Sequence, residues 1–389
     1  MMPMGQERRS QPGLAKPADS SWLASTYTSL RDTLTNRHHS RDFVFAHAFY
    51  MRSRVMAMGI IFLVMSPVWL LVDQWVLPSS LLQTTLVGRL LMMAGFAVVV
   101  WWAWRSEDNI RRIRFSAGAL LALPALFYML VLTLVPDNHS AALVGYSFIP
   151  FLLVAVLSVF PFTLVESLLA GLLLQSLLVF VQHIDGSWMT PTGLEAQWLM
   201  FTLLAVTLTA NHFQLSLLLR LYRQATHDAL TGLLNRGALE VRLAEIERAE
   251  SSSGTPVPYA VLMMDIDHFK RVNDVYGHSV GDKVLREFAR LIALQVRSGD
   301  FVARYGGEEF VVILLGASVE DSARIAERIR DTIENATLFD HDGNQVPITT
   351  SIGVACPHSP QPSEITLKQA DDRLYKAKEN GRNRVVSTD

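Results

Sequence analysis

One cysteine in 389 residues, Cys356, excludes an intramolecular disulfide. No Cys/His cluster has the spacing of a structural zinc site. Charge is scarce as well: 18% of residues are Asp, Glu, Lys or Arg, with a formal net charge of -2, which makes no case for a nucleic-acid partner. No short apolar core followed by a small-residue cleavage site precedes Val55, so no cleaved signal peptide is expected. What the chain has in excess is apolar side chains, 50% of the total, too many for an ordinary soluble enzyme of this length.

The excess is concentrated between Val55 and Leu219. A bilayer core of about 30 Å takes about 20 apolar helical residues, and six segments approach that length: 55-76, 84-104, 115-135, 141-160, 162-181 and 198-219. The fourth and fifth are separated only by Pro161 and its neighbours. An all-α transmembrane bundle of about six helices is therefore expected. Arginines gather in the N-terminal tail (Arg31, Arg37, Arg41, Arg52, Arg54), in the second loop (Arg105, Arg111, Arg112, Arg114) and at the last exit (Arg220, Arg223), whereas 77-83, 136-140 and 182-197 hold no Lys or Arg. That bias predicts both termini on the cytoplasmic side of a lipid membrane. Trp69, Trp75, Trp101, Trp102, Trp104, Trp188 and Trp198 lie near the expected helix ends, as interfacial belts require.

Arg89, Glu166, Asn211 and His212 are polar positions inside spans and so candidates for function. Arg89 and Glu166 fall in opposite leaflets, so the plain reading of Arg89 is snorkelling; Glu166, Asn211 and His212 share the inner leaflet and could form a relaying cluster. Pro67, Pro124 and Pro150 read as kinks. Nothing here names a sensory ligand or protein partner.

The sixth span continues without Gly or Pro through LSLLLRLYRQATHDALTGLLNR, so a helix can leave the bilayer unbroken; Leu215, Leu218, Leu219 and Tyr222 have coiled-coil-like spacing. The organisation expected is a tail (1-54), a transmembrane sensory region (55-219), a connecting helix (220-227) and a globular domain (228-389). The segment 251-256 reads as a loop. From Tyr259 the signals alternate: strand 259-265, helices 268-276 and 281-297, a hairpin of 300-305 and 309-315, helix 318-335, strand 346-356, helix 366-380 and strand 383-386. An α/β domain with helices on a mainly antiparallel sheet accommodates this order.

Gly306 and Gly307 separate two strand patterns by two residues, a hairpin signal in which primed turns need positive φ. Glu308 and Glu309 follow, adjacent carboxylates that repel one another; alternation along a strand sends one to each side of the sheet. Asp265 and Asp267 end the strand AVLMMDID. If the hairpin lies beside that strand, Asp265 and Glu308 converge, two hard oxygen ligands suited to Mg²⁺ held through substrate phosphates. Asp267 reads as a cap for the helix beginning near His268. Lys270, one turn past the aspartates, and Lys378 and Arg382, four apart on the last helix, could meet a triphosphate.

Residues 225-389 resemble the GGDEF family of diguanylate cyclases, in its GGEEF form, through DALTGLLNR (228-236), DIDHFKRVND (265-274), GHSVGD (277-282), RYGGEEF (304-310), SIGVA (351-355) and ADDRLYKAKENGRNRV (370-385). The resemblance implies a palm-like sheet binding one GTP per domain, with two domains of a homodimer meeting so that each 3'-hydroxyl attacks the other's α-phosphate to give cyclic di-GMP. Asp265, the Ile266 carbonyl and Glu308 would hold Mg²⁺ (Mn²⁺ as the alternative), with Glu308 also the base. Asn273 and Asp282 would read guanine; Lys270, Lys378, Arg382 and the Gly306-Gly307 turn would meet the phosphates. Arg297 and Asp300 match the family's inhibitory RxxD site for its product, with Arg328 a secondary contact; an Arg-Asp surface pair is the plain alternative.

A receptor that binds cyclic di-GMP without making it is the alternative from another class, opposed by the intact carboxylates. A cyclase making cyclic GMP or a mixed dinucleotide is opposed by Asp282. The chain ends three residues after the last expected strand, leaving no room for a phosphodiesterase domain, so hydrolysis of the product is not expected.

Overall fold

The computed structural model describes residues 30-35, 39, 41-77, 79-106, 109-134, 146-253, 258-357 and 361-387. The chain divides into two compact units, Met1–Arg220 and Leu221–Asp389.

In the first unit, five helices among the described residues are long and apolar enough to cross a membrane: Asp42–Trp75, Leu81–Arg105, Ile110–Thr133, Leu164–Ile184 and Pro191–Thr226. The fourth expected span, 141-160, is not one of them. Its first residues lie outside those described, and the helix that follows, Ile149–Leu157, has nine residues, about half the length a crossing needs. Pro150 sits in the first turn of that helix, where its missing N–H costs nothing, and starts it rather than kinking it. Pro67 and Pro124 do lie inside helices.

The break at 158-162 leaves carbonyls without helical partners, and side chains supply them. Gln214 Nε2 donates to the Ser158 carbonyl at 2.9 Å, Arg54 to that of Val159, and His47 Nε2 lies 2.9 Å from that of Pro161. Non-helical backbone at membrane depth survives only with such partners. Glu166 belongs to the restart: with Thr163 it forms a capping box, and Arg114 lies 3.2 Å from its carboxylate.

Glu166, Asn211 and His212 have different partners among the described residues. Asn211 meets the Ser167 hydroxyl at 2.8 Å, and His212 Nδ1 meets the Thr33 hydroxyl at 2.8 Å. Arg89 does not snorkel; it is buried and paired with Asp73, a residue the hydropathy reading passed over. All seven belt tryptophans are exposed. The first of the membrane-length helices begins at Arg41, well before the expected span, and the last of them runs unbroken to Thr226.

The second unit is a six-stranded mixed sheet of order β1-β3-β4-β2-β5-β6. The strands are β1 (Leu234–Asn235), β2 (Tyr259–Ile266), β3 (Phe301–Arg304), β4 (Glu309–Leu315), β5 (Thr350–Ala355) and β6 (Val385–Val386). The four central strands are antiparallel, while the edge pairs β1/β3 and β5/β6 are parallel.

Every residue of β2 is buried, because apolar layers cover both faces of the sheet, which is why AVLMM is a continuous apolar run and not an alternation. Leu262, Met264, Phe310 and Val312 share one layer with Val284 and Phe288 of helix His278–Gln295 and Ile329 of helix Val319–Glu334. Val261, Met263 and Val311 share the other with Leu239 and Leu243 of helix Arg236–Ser253 and Leu374 of helix Ser363–Glu379. The helix Arg236–Ser253 and strand β1 were not foreseen, and Ser251–Ser253, expected to be loop, end that helix.

Candidate active site

The end of β2 delivers the first carboxylate. Asp265 is 5% exposed, and its Oδ2 lies 2.9 Å from Lys378 Nζ. The β2/β4 register sets Asp265 opposite Glu309, not Glu308. Directly opposed residues share a face, so Glu309 is the carboxylate on Asp265's side of the ladder. Glu308 precedes β4, and its carbonyl accepts from the Ile266 N–H at 3.4 Å, which brings it to the same strand end. Burial pushes the Asp265 carboxyl up to about 6; Lys378 opposes this and the Glu308 and Glu309 charges add to it. The site carries surplus negative charge, and one ammonium is its nearby counter-ion.

The turn between β3 and β4 spans residues 305-308 and is not a two-residue primed turn. Tyr305 and Gly306 both donate backbone N–H to the Glu309 carbonyl, at 2.8 and 3.2 Å. Positive φ is found at six glycines among the described residues, and Gly306 and Gly307 are not among them. At Gly306 the constraint is space, since a Cβ would stand 2.4 Å from Glu309 Oε2, whereas one on Gly307 would meet nothing within 4 Å.

Sequence reading assigned no role to the residues that anchor this turn. Arg304 donates to the Gly307 carbonyl through Nε (3.1 Å) and Nη2 (2.7 Å), and through Nη1 to both carboxylate oxygens of Asp228. Thr231 donates its N–H and hydroxyl to the same carboxylate at 2.8 and 2.7 Å. Burial alone would raise the Asp228 carboxyl, but these donors outweigh it and hold it below the ordinary range. The signal was present as the D-x-x-T spacing of an Asx turn just ahead of a helix.

Asp267 is structural, as expected, but not as a cap. The residue before helix Phe269–Tyr276 is His268, at φ 57, with no capping side chain. Asp267 instead accepts from Ser351 Oγ at 2.7 Å, Thr349 Oγ1 at 2.8 Å and the Asn383 N–H at 3.0 Å, tying the end of β2 to β5 and to the segment after the last helix. Arg382 is not on that helix, which ends at Glu379; it has φ 62 and donates its N–H to the Ala377 carbonyl. Its side chain is therefore not an i, i+4 neighbour of Lys378. Lys270 is exposed on helix Phe269–Tyr276.

Asn273 packs against Gly281, the residue before Asp282. A Cβ on that glycine would stand 1.9 Å from Asn273 Oδ1, so glycine leaves room for the carboxamide where it lies. Arg297, Asp300 and Arg328 line one cavity of about 440 Å³. No surface ion pair forms between Arg297 and Asp300: the Asp300 carboxylate accepts the backbone N–H groups of Arg297 (2.9 Å) and Leu315 (3.1 Å). A larger cavity, of about 770 Å³, lies on the Glu309 side between Arg236, Tyr305 and Lys368 and holds none of the expected substrate residues.

No group of three or more His, Cys, Asp or Glu side chains is placed to hold a metal among the described residues. Two carboxylates and the Ile266 carbonyl at one strand end still fit Mg²⁺, which takes hard oxygen ligands and leaves positions to phosphate and water. The excess negative charge around Asp265, now met by Lys378, is the observation that favours a cation there.

Residues 225–384 match the family described as "Diguanylate cyclase, GGDEF domain". The chain is 44% identical over 164 residues to the response regulator PleD of Caulobacter vibrioides, covering 42% of this chain and 36% of that protein. It is 40% identical over 158 residues to the diguanylate cyclase DosC of Escherichia coli, covering 41% of this chain and 34% of that protein. Among solved structures it is similar to the coiled coil and GGDEF domain of DgcB from Caulobacter crescentus in complex with c-di-GMP, at 32% identity and TM-score 0.44, over 47% of this chain and 96% of that one. The chain thus spans about a third of the length of these two full-length relatives.

Proposed function

We propose that this chain, whose C-terminal unit is a GGDEF domain, is a membrane-bound diguanylate cyclase that condenses two GTP into cyclic di-GMP and two pyrophosphates. What supports the reading is the strand end where Asp265, paired with Lys378, stands opposite Glu309 while the Glu308 carbonyl accepts from the Ile266 N–H, with Asn273 and Asp282 on the adjoining helices.

In this reading Asp282 and Asn273 select guanine by accepting from and donating to its hydrogen-bonding edge, which adenine cannot match. Lys270, Arg382 and the Gly306-Gly307 turn receive the phosphates, and Lys378 passes from its pair with Asp265 to phosphate. Asp265, the Ile266 carbonyl and Glu308 hold Mg²⁺, which when bound neutralises charge developing on the α-phosphate. Glu308 takes the proton of the 3'-hydroxyl. Each domain brings one GTP, so two copies align the hydroxyl of one with the α-phosphate of the other. Arg297, Asp300 and Arg328 form the inhibitory product site, supported by their shared cavity. The arginine bias supports a topology with both termini in the cytoplasm, where GTP is found.

Mass spectrometry of the products formed by the purified chain with GTP and Mg²⁺, beside Glu308→Ala, tests the proposal. Cyclic di-GMP from the native chain and none from the variant is the expected result. Binding of cyclic di-GMP without synthesis would replace it with the receptor reading.

A further inference from the structure

The helical unit encloses a cavity of about 560 Å³ reached by helices Arg41–Val76, Ser79–Arg105, Ile110–Leu134 and Ile149–Leu157. Its walls are apolar, with Phe62, Phe96, Phe127 and Ile149 among them, and its polar lining includes Arg89 and Tyr146.

Arg89 is 5% exposed, Asp73 3% and Tyr146 6%. The three form a closed triangle: Arg89 donates through Nε and Nη2 to Asp73, Nη2 also to the Tyr146 hydroxyl at 3.0 Å, and that hydroxyl to Asp73 Oδ1 at 2.8 Å. The rings of Trp69, Phe127 and Tyr146 lie 5.8, 5.1 and 5.5 Å from the guanidinium carbon. A buried ion pair is costly to desolvate and holds only with such geometry. Arg89 has five N–H donors, and the triangle uses Nε and Nη2; Nη1 has no hydrogen-bond acceptor among the described residues.

We infer that this cavity binds a small membrane-dissolved molecule with an apolar body and an uncharged carbonyl group, received by Nη1 of Arg89. The walls suit an apolar body, and the unused donors can serve an acceptor on it. Asp73 already neutralises Arg89, so a carboxylate head would leave one buried negative charge uncompensated, whereas a carbonyl leaves the site neutral. The aromatic side chains around the guanidinium suit a flat, ring-borne carbonyl.

The site rests on the reading that this unit lies in a bilayer, which flotation of the full chain with lipid vesicles tests separately. Failure to float, with probe binding retained in detergent, removes that reading and leaves the cavity. For the site itself, the full chain in lipid nanodiscs is equilibrated with a decyl-substituted benzoquinone, and binding is compared with empty discs. Saturable binding is expected, weakened about tenfold in Arg89→Lys, which keeps the charge facing Asp73 but loses the guanidinium fork. Ser66→Phe, which fills the cavity without touching the triangle, should abolish binding; circular dichroism confirms that both variants fold. Absence of saturable binding to the native chain overturns the proposal. Decylbenzene binding as tightly as the quinone shows a mere acyl slot, and decanoate binding more tightly overturns the uncharged head.

Discussion

Arg304 donates to both carboxylate oxygens of Asp228, at 3.1 and 3.2 Å, while its other nitrogens hold the Gly307 carbonyl. One guanidinium thus ties the turn that carries Glu308 to the segment directly after the long helix Pro191–Thr226. Arg304→Ala should therefore lower kcat for cyclic di-GMP synthesis about 10- to 100-fold with little change in folding, since a carboxylate displaced by about 1 Å loses its alignment. Steady-state kinetics of the full chain checks this, with Arg304→Lys recovering little because an ammonium cannot span both partners.

The Asp228 carboxyl is held below its ordinary range, so its contribution to stability is present above its unfolded pKa of about 4 and is lost as pH falls through the lower folded value. Asp228→Asn should remove the part of the acid-side stability loss that falls below about pH 4, read from thermal unfolding across that range.

Asp265 behaves in the opposite sense. Its folded value, raised to about 6, lies above the unfolded value of about 4, so the folded state binds the extra proton and stability declines as pH rises from about 4 to about 6. A divalent cation should reverse this slope by stabilising the charged carboxylate. Thermal unfolding between pH 4 and 7, with and without Mg²⁺ and GTP, measures the change. Asp265→Asn should flatten the slope and abolish synthesis, a loss on the order of 10³-fold.

Gly353 lies in β5 against helix Ser363–Glu379, where a Cβ would stand 2.1 Å from the Ala370 carbonyl oxygen and 2.3 Å from the Leu374 nitrogen. Backbone cannot swing away as a side chain can. Gly353→Ala should therefore cost about 3 kcal/mol, seen as a lower unfolding midpoint of the C-terminal unit.

Gly281→Ala differs, because its clash is with the movable carboxamide of Asn273. The fold should survive, KM for GTP should rise about tenfold, and preference over ATP should narrow; parallel kinetics with both nucleotides checks it.

The sequence by itself determined the division into an apolar helical part and an α/β part, because hydropathy and periodicity are local properties of the chain. Its motifs were enough to single out the carboxylates at the end of β2 and the three residues that line one cavity, Arg297, Asp300 and Arg328, since those residue types stand at spacings that carry chemistry. Tertiary structure decided the rest. Which glutamate opposes Asp265 depends on a one-residue choice of register, and register is a property of two strands together. Arg382 left the helix because the chain turns at Arg382 and Asn383 with positive φ, and the Asn383 N–H meets Asp267 116 residues away. The fourth expected span became a short helix and a break because His47, Arg54 and Gln214, from distant helices, satisfy its carbonyls. Arg89 found Asp73 and Tyr146 instead of the membrane surface, since a buried charge is tolerated wherever packing supplies a partner, and no hydropathy window records which helix will bring it.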